Sequence, residues 1–173
     1  FIRDRDDPNI MWIATWGGGL DRFDKRTEQF THHQRVPQKP DSINSNTVFD
    51  VYEDSRGKFW VCTDRGLARF DKKTRVFKRF DKNRGLEAKI VHNVLEDNQG
   101  FLWFGTDIGL VKFDPQSETV IKIYTREDGL HSHNFFATAR GKTRDGQLWF
   151  GGFNGLNSFY PQELADNRLT PQV

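Results

Sequence analysis

Four copies of one short motif divide this chain, and their spacing constrains the fold more than any other feature. Each copy has a tryptophan, a Gly-Leu pair six or seven residues later, and a phenylalanine four residues after the glycine. The tryptophans lie 48, 43 and 46 residues apart. A period near 45 is typical of a propeller blade or a similar stacked unit. The repeat residues are Trp12, Trp60, Trp103 and Trp149, with Gly19, Gly66, Gly109 and Gly155.

The second repeat shows what one unit contains. Four runs rich in aromatic and β-branched residues, at 47–52, 58–63, 67–70 and 76–80, are separated by turn-forming clusters, which predicts four short strands. The third repeat has the same plan. The first repeat has only a short remnant of its first strand, and the fourth repeat lacks a convincing fourth strand. We therefore predict an all-β chain, a β-propeller of about four four-stranded antiparallel blades that forms a partial ring or an arc of a larger propeller.

These patterns also define the expected organisation. Blades fill residues 1–161, with repeats at about 1–35, 42–81, 88–125 and 130–161, and residues 162–173 are a linker or the start of a following domain. Inner strands carry apolar residues at consecutive positions, as in Leu102-Trp103-Phe104, which predicts a sheet covered on both faces. The recurring tryptophan is expected to pack between neighbouring blades. The recurring glycine is expected to supply a positive φ in a hairpin.

Composition excludes several classes of protein. The net charge is +2 with both signs interspersed, so no basic face for nucleic acid is expected. The single cysteine, Cys62, excludes a disulfide within the chain. No stretch reaches the roughly 20 apolar residues of a membrane span. The chain starts at Phe1 without a signal peptide, which predicts a piece of a larger protein.

The motif resembles the two-component-regulator propeller repeat, whose loose pattern is acidic-Asp-x-x-Gly-x-x-Trp, a strand, a Gly-Gly-Leu turn and Phe-Asp. The resemblance covers residues 1 to about 161. The matching residues of the second copy are Glu53-Asp54, Gly57, Trp60, Gly66-Leu67 and Phe70-Asp71, and those of the third are Glu96-Asp97, Gly100, Trp103, Gly109-Leu110 and Phe113-Asp114. The first copy carries Trp16-Gly17-Gly18-Gly19-Leu20. The last, ending Phe159-Tyr160-Pro161, resembles the closing blade of such sensors.

This resemblance implies a periplasmic, ligand-sensing part of an inner-membrane sensor. The parent protein would be a hybrid histidine kinase or a diguanylate cyclase, and the fragment itself would be no enzyme and need no cofactor. The expected ligand is an oligosaccharide or another small molecule, and the membrane is reached only through the parent protein. Sensors of this family usually have about seven blades. An arc of four leaves blade edges unpaired, which predicts self-association.

Propellers bind ligands at one face and at the mouth of the central channel. On this blade plan the face carries the turns between second and third strands and the linkers between blades. An exposed ring there, with planar polar groups around it, is the pattern that a sugar site needs. Alternatively, Trp16 packs on the next blade and Arg65 pairs with an acid. The candidate ligand-binding residues are Trp16, Asp64, Arg65, Asp107, His131, His133, Asn134, Phe153 and Asn154.

Other chemistry has weaker support. His131 and His133, and the pair His32-His33, invite a metal site, but no third ligand is evident, so no metal is predicted. The acidic pairs recur at one position of the repeat, which favours a turn device over two-carboxylate glycoside chemistry. A propeller lyase or glycosidase resembling the streptogramin lyases would need a His–Glu pair at the mouth, with His92 or His131 as donor. A protein-docking scaffold would show an exposed apolar patch.

Overall fold

The computed structural model describes residues 1–80, 85–131 and 134–164 as four antiparallel sheets of consecutive strands. Each sheet is one blade, and the blades follow one another along the chain. Three have four strands and the fourth has three, so the expected all-β arc of propeller blades is confirmed, with its last blade one strand short. A 3₁₀ turn at Arg126–Asp128 precedes the fourth blade and another at Pro161–Glu163 follows it. Of the linker predicted at 162–173, residues 165–173 lie outside the described part.

The strands are short and begin within a residue or two of the predicted positions. Blade 1 holds β1 (Ile2–Arg3), β2 (Ile10–Thr15), β3 (Gly19–Asp24) and β4 (Gln29–His33). Blade 2 holds β5 (Val48–Glu53), β6 (Phe59–Thr63), β7 (Gly66–Asp71) and β8 (Val76–Phe80). Blade 3 holds β9 (Val91–Glu96), β10 (Leu102–Thr106), β11 (Gly109–Asp114) and β12 (Thr119–Tyr124). Blade 4 holds β13 (Phe135–Lys142), β14 (Leu148–Gly152) and β15 (Gly155–Phe159).

The core consists of layers between neighbouring blades. Every residue of β6 and of β10 is buried, because a blade in the middle of the stack has a neighbour on each face. Each internal layer places a tryptophan of one blade against rings of the next: Trp12 lies 5.2 Å from Phe59, and Trp103 lies 4.9 Å from Phe159 (ring centroids). Trp149 is only half-buried, since no described blade lies against it.

A carboxylate holds each of the first three tryptophans. One oxygen of Asp97 accepts the main-chain N–H groups of Gln99 and Phe101 at 2.9 Å, and the other accepts the indole N–H of Trp103 at 2.8 Å. The same bonds join Asp54 to Trp60 and Asp4 to Trp12, at 2.9 and 2.7 Å. The aspartate therefore shapes the turn and fixes the ring that packs on the next blade. Blade 4 has Thr143 at this position, and no such bond reaches Trp149 among the described residues.

The glycine of the Gly-Leu pair has a positive φ in all four blades, but the space around it differs. At Gly19 φ is +89°, and a Cβ would lie 2.3 Å from the carbonyl oxygen of His33. At Gly155 φ is +122° and no atom lies within 4 Å of a Cβ. The first position therefore combines backbone strain with a main-chain clash, whereas the second carries the strain alone.

We expect Gly19→Ala to lower the free energy of unfolding by more than about 2 kcal/mol, because strain and clash add. Gly155→Ala, which meets strain only, should cost about 1 to 2 kcal/mol. Urea denaturation followed by tryptophan fluorescence measures both values. Equal losses in the two variants would show that the His33 carbonyl moves aside at little cost.

Candidate ligand-binding site

The turns between second and third strands and the linkers between blades lie together on one face, which we call the mouth face. In each blade, a main-chain N–H of the turn donates to a linker carbonyl. The bonds run from Gly19 to Asn46 (2.8 Å), Asp64 to Thr47 (3.4 Å), Asp107 to Ile90 (3.2 Å) and Phe153 to Asn134 (3.3 Å). These bonds hold the turn of every blade beside the entry of an inner strand.

The first strand of each blade lies nearest the axis, and we call these first strands the inner strands. Five rings surround the start of the inner strands, and we call them the aromatic mouth: Trp16, Phe49, His92, Phe136 and Phe153. Phe49, His92 and Phe136 are the second residues of β5, β9 and β13, and each follows a residue paired with the end of the next strand. The ring of Phe49 lies 5.5 Å from Trp16 and 5.4 Å from His92. Phe136 lies 4.3 Å from Phe153. Rings from all four blades thus contribute.

The outer rings of this mouth are open to solvent. Trp16 is 83% exposed and Phe153 is 70% exposed, whereas most other large rings of the chain lie in the layers between blades. The ring of Trp16 meets Phe49 in an edge-to-face arrangement, and its main chain bridges Thr47. Because 83% of Trp16 is exposed, its ring can still stack against a flat apolar surface. Neither Arg65 nor Asn154, which the sequence suggested beside Trp16, makes a recorded contact with its ring.

The predicted polar residues divide into engaged and available groups. Asp107 is engaged, because one carboxylate oxygen accepts the main-chain N–H groups of Lys89 and Ile90, both at 3.0 Å. Asp64 keeps a buried oxygen without a hydrogen-bond partner. Arg65 and Asn154 are exposed, and the side chain of neither makes a recorded hydrogen bond within the described residues. Arg65 and Asn154 can therefore form hydrogen bonds with a ligand, whereas the unpaired oxygen of Asp64 is buried.

The residues of the linker between blades 3 and 4 lie on two different surfaces. The main-chain N–H of His131 donates to Asn157 Oδ1 at 3.0 Å, and its side chain lines a cavity of about 280 Å³ between blades 3 and 4, with Tyr124, Leu130 and Phe159. The cavity is lined by none of the five mouth rings, so His131 serves a different surface. Asn134 accepts the N–H of Phe153 through its main-chain oxygen. His133 lies outside the described residues.

His92 is the titratable member of the aromatic mouth. Burial lowers its pKa, and the nearby charge of Asp107 offsets only part of that effect. The ring is therefore neutral at neutral pH and offers one donor and one acceptor without a charge. No glutamate makes a recorded contact with it, so the His–Glu pair expected of a propeller lyase is not assembled among the residues that the structure describes.

An ion pair crosses the channel below the mouth. The guanidinium of Arg140 on β13 donates to both carboxylate oxygens of Asp50 on β5, at 2.6 and 2.8 Å, across the intervening blade. Asp50 also accepts the main-chain N–H of Val94 on that blade, at 3.1 Å. A bulge between Phe135 and Arg140 inserts extra residues into β13, which turns Arg140 toward the axis. Three blades are therefore tied together at the axis.

Metal chemistry finds no support within residues 1–80, 85–131 and 134–164, where no group of three histidine, cysteine or acidic side chains is placed to hold an ion. His32 lies beside Asp21, with Nδ1 2.7 Å from the carboxylate. In the same residues no helix is long and apolar enough to cross a membrane.

Sequence reasoning missed two members of the aromatic mouth. Phe49 and Phe136 sit inside strands, where an apolar ring is normally core. Their signal was positional: each follows the first residue of an inner strand, as His92 does in the third repeat. The start of an inner strand adjoins the linker, so the residue there faces the mouth.

The structure is thus an arc of β-propeller blades with an aromatic mouth on one face. The family model described as two component regulator propeller matches residues 42–65 and 85–107. These two segments thus match the two-component regulator propeller repeat, and the resemblance found in the sequence is confirmed.

Known proteins contain segments similar to this chain. A histidine kinase P4 from Formosa agariphila is 25% identical over the whole chain, which covers 16% of that kinase. The extracellular domain of a hybrid two-component system from B. thetaiotaomicron matches 99% of the chain with a TM-score of 0.82 at 24% identity, and the chain covers 22% of it. An extracellular domain of a one-component system from the same organism matches 95%, with a TM-score of 0.78 at 21% identity and 24% of that chain covered. The solved domains are extracellular, and the chain spans about a quarter or less of each relative.

Proposed function

We propose that this segment is a ligand-sensing part of a two-component-type membrane sensor and acts outside the cytoplasm, in the periplasm. The repeat family supports the sensor assignment, and the extracellular setting of the two solved domains supports the location. The segment works by binding and not by catalysis. A histidine kinase or a diguanylate cyclase elsewhere in the parent protein supplies the output.

The ligand of this proposal is a carbohydrate, or another small molecule with a flat apolar face and hydroxyl groups at its edge. The observation that carries it is the exposure of Trp16 and Phe153 at the aromatic mouth, because open rings provide stacking surfaces. The exposed side chains of Arg65 and Asn154 on the same face can donate and accept hydrogen bonds. A few polar groups around apolar rings are the usual composition of a small-molecule site.

Binding alters the output by shifting an equilibrium between arrangements of the propeller. A ligand that touches rings of several blades binds best when those blades hold one relative position. It therefore stabilises that position by its difference in affinity for the two arrangements. The inner strands transmit this preference, because the ion pair at the axis already joins blades 2, 3 and 4.

Titration calorimetry with a panel of neutral oligosaccharides tests the site. We expect one class to bind, and Trp16→Ala to weaken that binding by about 1 to 3 kcal/mol, the range for losing a well-packed ring contact. Phe153→Ala should weaken it to a similar extent. Phe1→Ala is the matched control, since Phe1 is as exposed as Trp16 but lies outside the mouth.

Two results would contradict the proposal. Equal weakening by Phe1→Ala and Trp16→Ala would show that exposed rings bind the sugar without a site. Hydrolysis or elimination of one oligosaccharide by the pure fragment, lost in His92→Ala or His131→Ala, would make it an enzyme.

A further inference from the structure

We propose that a cavity between blades 1 and 2 binds the carboxylate group of a small organic acid. The cavity has a volume of about 330 Å³ and lies toward the opposite end of the strands from the mouth face. Its walls come from two consecutive blades of this chain, and both blades have all four of their strands. None of the five mouth rings lines it, so this site is separate from the aromatic mouth.

The next layer, between blades 2 and 3, shows which groups meet at the equivalent place. There the side chains of Arg69 on β7 and Lys78 on β8 both donate to the carboxylate of Glu118, in the turn between β11 and β12. The side chain of Glu118 is only 12% exposed. One carboxylate from blade 3 thus joins two cations of blade 2 through charge-assisted hydrogen bonds.

The layer between blades 1 and 2 lacks that carboxylate. Arg22 and Thr31 hold the positions of the two cations, because they pair across β3 and β4 in the same register. Arg75 holds the position of Glu118: each directly precedes the fourth strand of its blade, with φ of 60° and 56°. Arg22 and Arg75 both line the cavity. Two arginines therefore share a site where the next layer has a carboxylate between cations.

These two arginines keep donors for a ligand. Arg75 is exposed, and its side chain makes no hydrogen bond or ion pair within the described residues. The guanidinium of Arg22 approaches the carboxylate of Asp24 only to 3.7 Å, which is beyond hydrogen-bond distance. A carboxylate matches the planar fork of a guanidinium and offsets the repulsion between two of them. The anion that fits here is therefore a carboxylate, as in the next layer.

The remaining walls define the rest of the ligand. They contain three aromatic and three acidic residues: Trp12, His33, Phe70, Asp4, Asp6 and Asp7. The rings offer an apolar surface, and the volume is near the lower end of the range for small-molecule sites, about 300 to 1,000 Å³. A third cation, Lys72, is already engaged with Asp4 and Asp6 at 3.2 Å. A second carboxylate on the ligand would meet like charges, so the ligand has one carboxylate and one ring or short apolar chain.

Titration calorimetry of the whole 173-residue chain with benzoate tests the site. The comparison ligands are benzamide, which has the same shape without the charge, terephthalate, which has a second carboxylate, and inorganic sulfate. We expect benzoate to bind at least about tenfold more tightly than each of them, because hydrogen bonds to charged groups are stronger than neutral ones and like charges repel.

The nuclear magnetic resonance titration of His33 locates the bound ligand. Burial lowers the pKa of His33, and the positive charge of Arg75 lowers it further. Arg22 and His32 act in the same direction, and Asp21 acts against them. A carboxylate bound between the arginines offsets their charge, so saturating benzoate should raise the pKa of His33. An unchanged pKa at saturation would place the ligand elsewhere and overturn the proposal.

Variants of the arginines test the recognition. Arg75→Gln and Arg22→Gln should each weaken benzoate binding by about tenfold or more, because each removes charge-assisted hydrogen bonds. Arg75→Glu should abolish binding, because it supplies the carboxylate that Glu118 supplies in the next layer. Glutamate already adopts the positive φ of this position at Glu118, and thermal unfolding verifies that the variant is folded. Arg144→Gln is the matched control, since Arg144 is exposed and lies outside the cavity.

Several results would overturn the carboxylate site. These are no binding of benzoate, equal binding of benzamide or sulfate, equal weakening by Arg144→Gln, and full binding by folded Arg75→Glu. None of them bears on the aromatic mouth, because its test uses neutral oligosaccharides and variants of other residues. The two sites can therefore fail independently.

Discussion

Trp103→Ala is expected to lower the free energy of unfolding by about 3 to 5 kcal/mol, the range for removing a large buried ring. Trp103 is fully buried, and its ring lies 5.4 Å from Tyr124 of its own blade and 4.9 Å from Phe159 of the next (ring centroids). Its truncation also leaves one oxygen of Asp97, which is buried, without the indole N–H. A cavity between blades and an unpaired polar atom both destabilise the fold.

Trp149→Ala is the matched control for that loss. The two tryptophans hold the same position of the repeat, but Trp149 is half-buried and has no carboxylate at the place of Asp97. Its removal should cost about 1 kcal/mol, a typical value for a partly exposed position. Guanidinium unfolding followed by circular dichroism, at concentrations where each variant is monomeric, measures both losses. Losses of equal size would mean that Trp103, in the layer between blades 3 and 4, stabilises the fold no more than Trp149, on the other face of blade 4.

The blades and their strands could be predicted because the information is local. A strand of five residues between two turn clusters, as at Phe59–Thr63, is defined by residues within about ten positions of it. Repetition then fixes the architecture, since a unit this small must bury its face against a neighbour. That blade 4 has three strands within the described residues could be predicted for the same reason.

The bond between carboxylate and indole was not predicted, although its signal is in the sequence. Recurrence correctly pointed to Asp54 and Asp97 as turn residues, and the turn accounts for one oxygen of each. The second oxygen needed a donor, and Trp60 and Trp103 each follow their aspartate by six residues. The fourth repeat has Thr143 at that place, and within the described residues Trp149 makes no such bond.

The mouth was predicted in part, because it depends on how blades are arranged. Trp16 and Phe153 lie in turns, where a large aromatic ring indicates a candidate binding residue. Phe49 and Phe136 lie in strands and look like core, and only the curvature of the arc turns the first residues of the inner strands toward the mouth.

The ion pair between Asp50 and Arg140 lay beyond sequence reasoning, because the partners are 90 residues apart and meet through a bulge in β13. Both side chains are mostly buried, so losing one leaves a charge without its partner. We expect Arg140→Met to lower the free energy of unfolding at neutral pH by about 3 to 5 kcal/mol, as for other broken buried pairs. Urea unfolding of the variant and the parent chain measures the difference.

The loss in Arg140→Met should depend on pH in a defined direction. Burial raises the pKa of Asp50 in the parent chain, although the hydrogen bonds and charge of Arg140 act against that rise. Without Arg140 the pKa rises further above the unfolded value of about 3.9. Between these two values the folded variant binds more protons than the unfolded chain, so its stability falls as pH rises. The deficit relative to the parent chain should therefore be smaller at about pH 5 than at about pH 8.

The double variant Asp50→Asn, Arg140→Met separates a buried charge from a simple loss of packing. Asparagine keeps an oxygen that can accept the N–H of Val94 but carries no charge. The double variant should therefore be more stable than Arg140→Met at about pH 8 and should show no such pH dependence. If both variants lose the same stability at every pH, the two side chains act at the axis by packing and not as a charge pair.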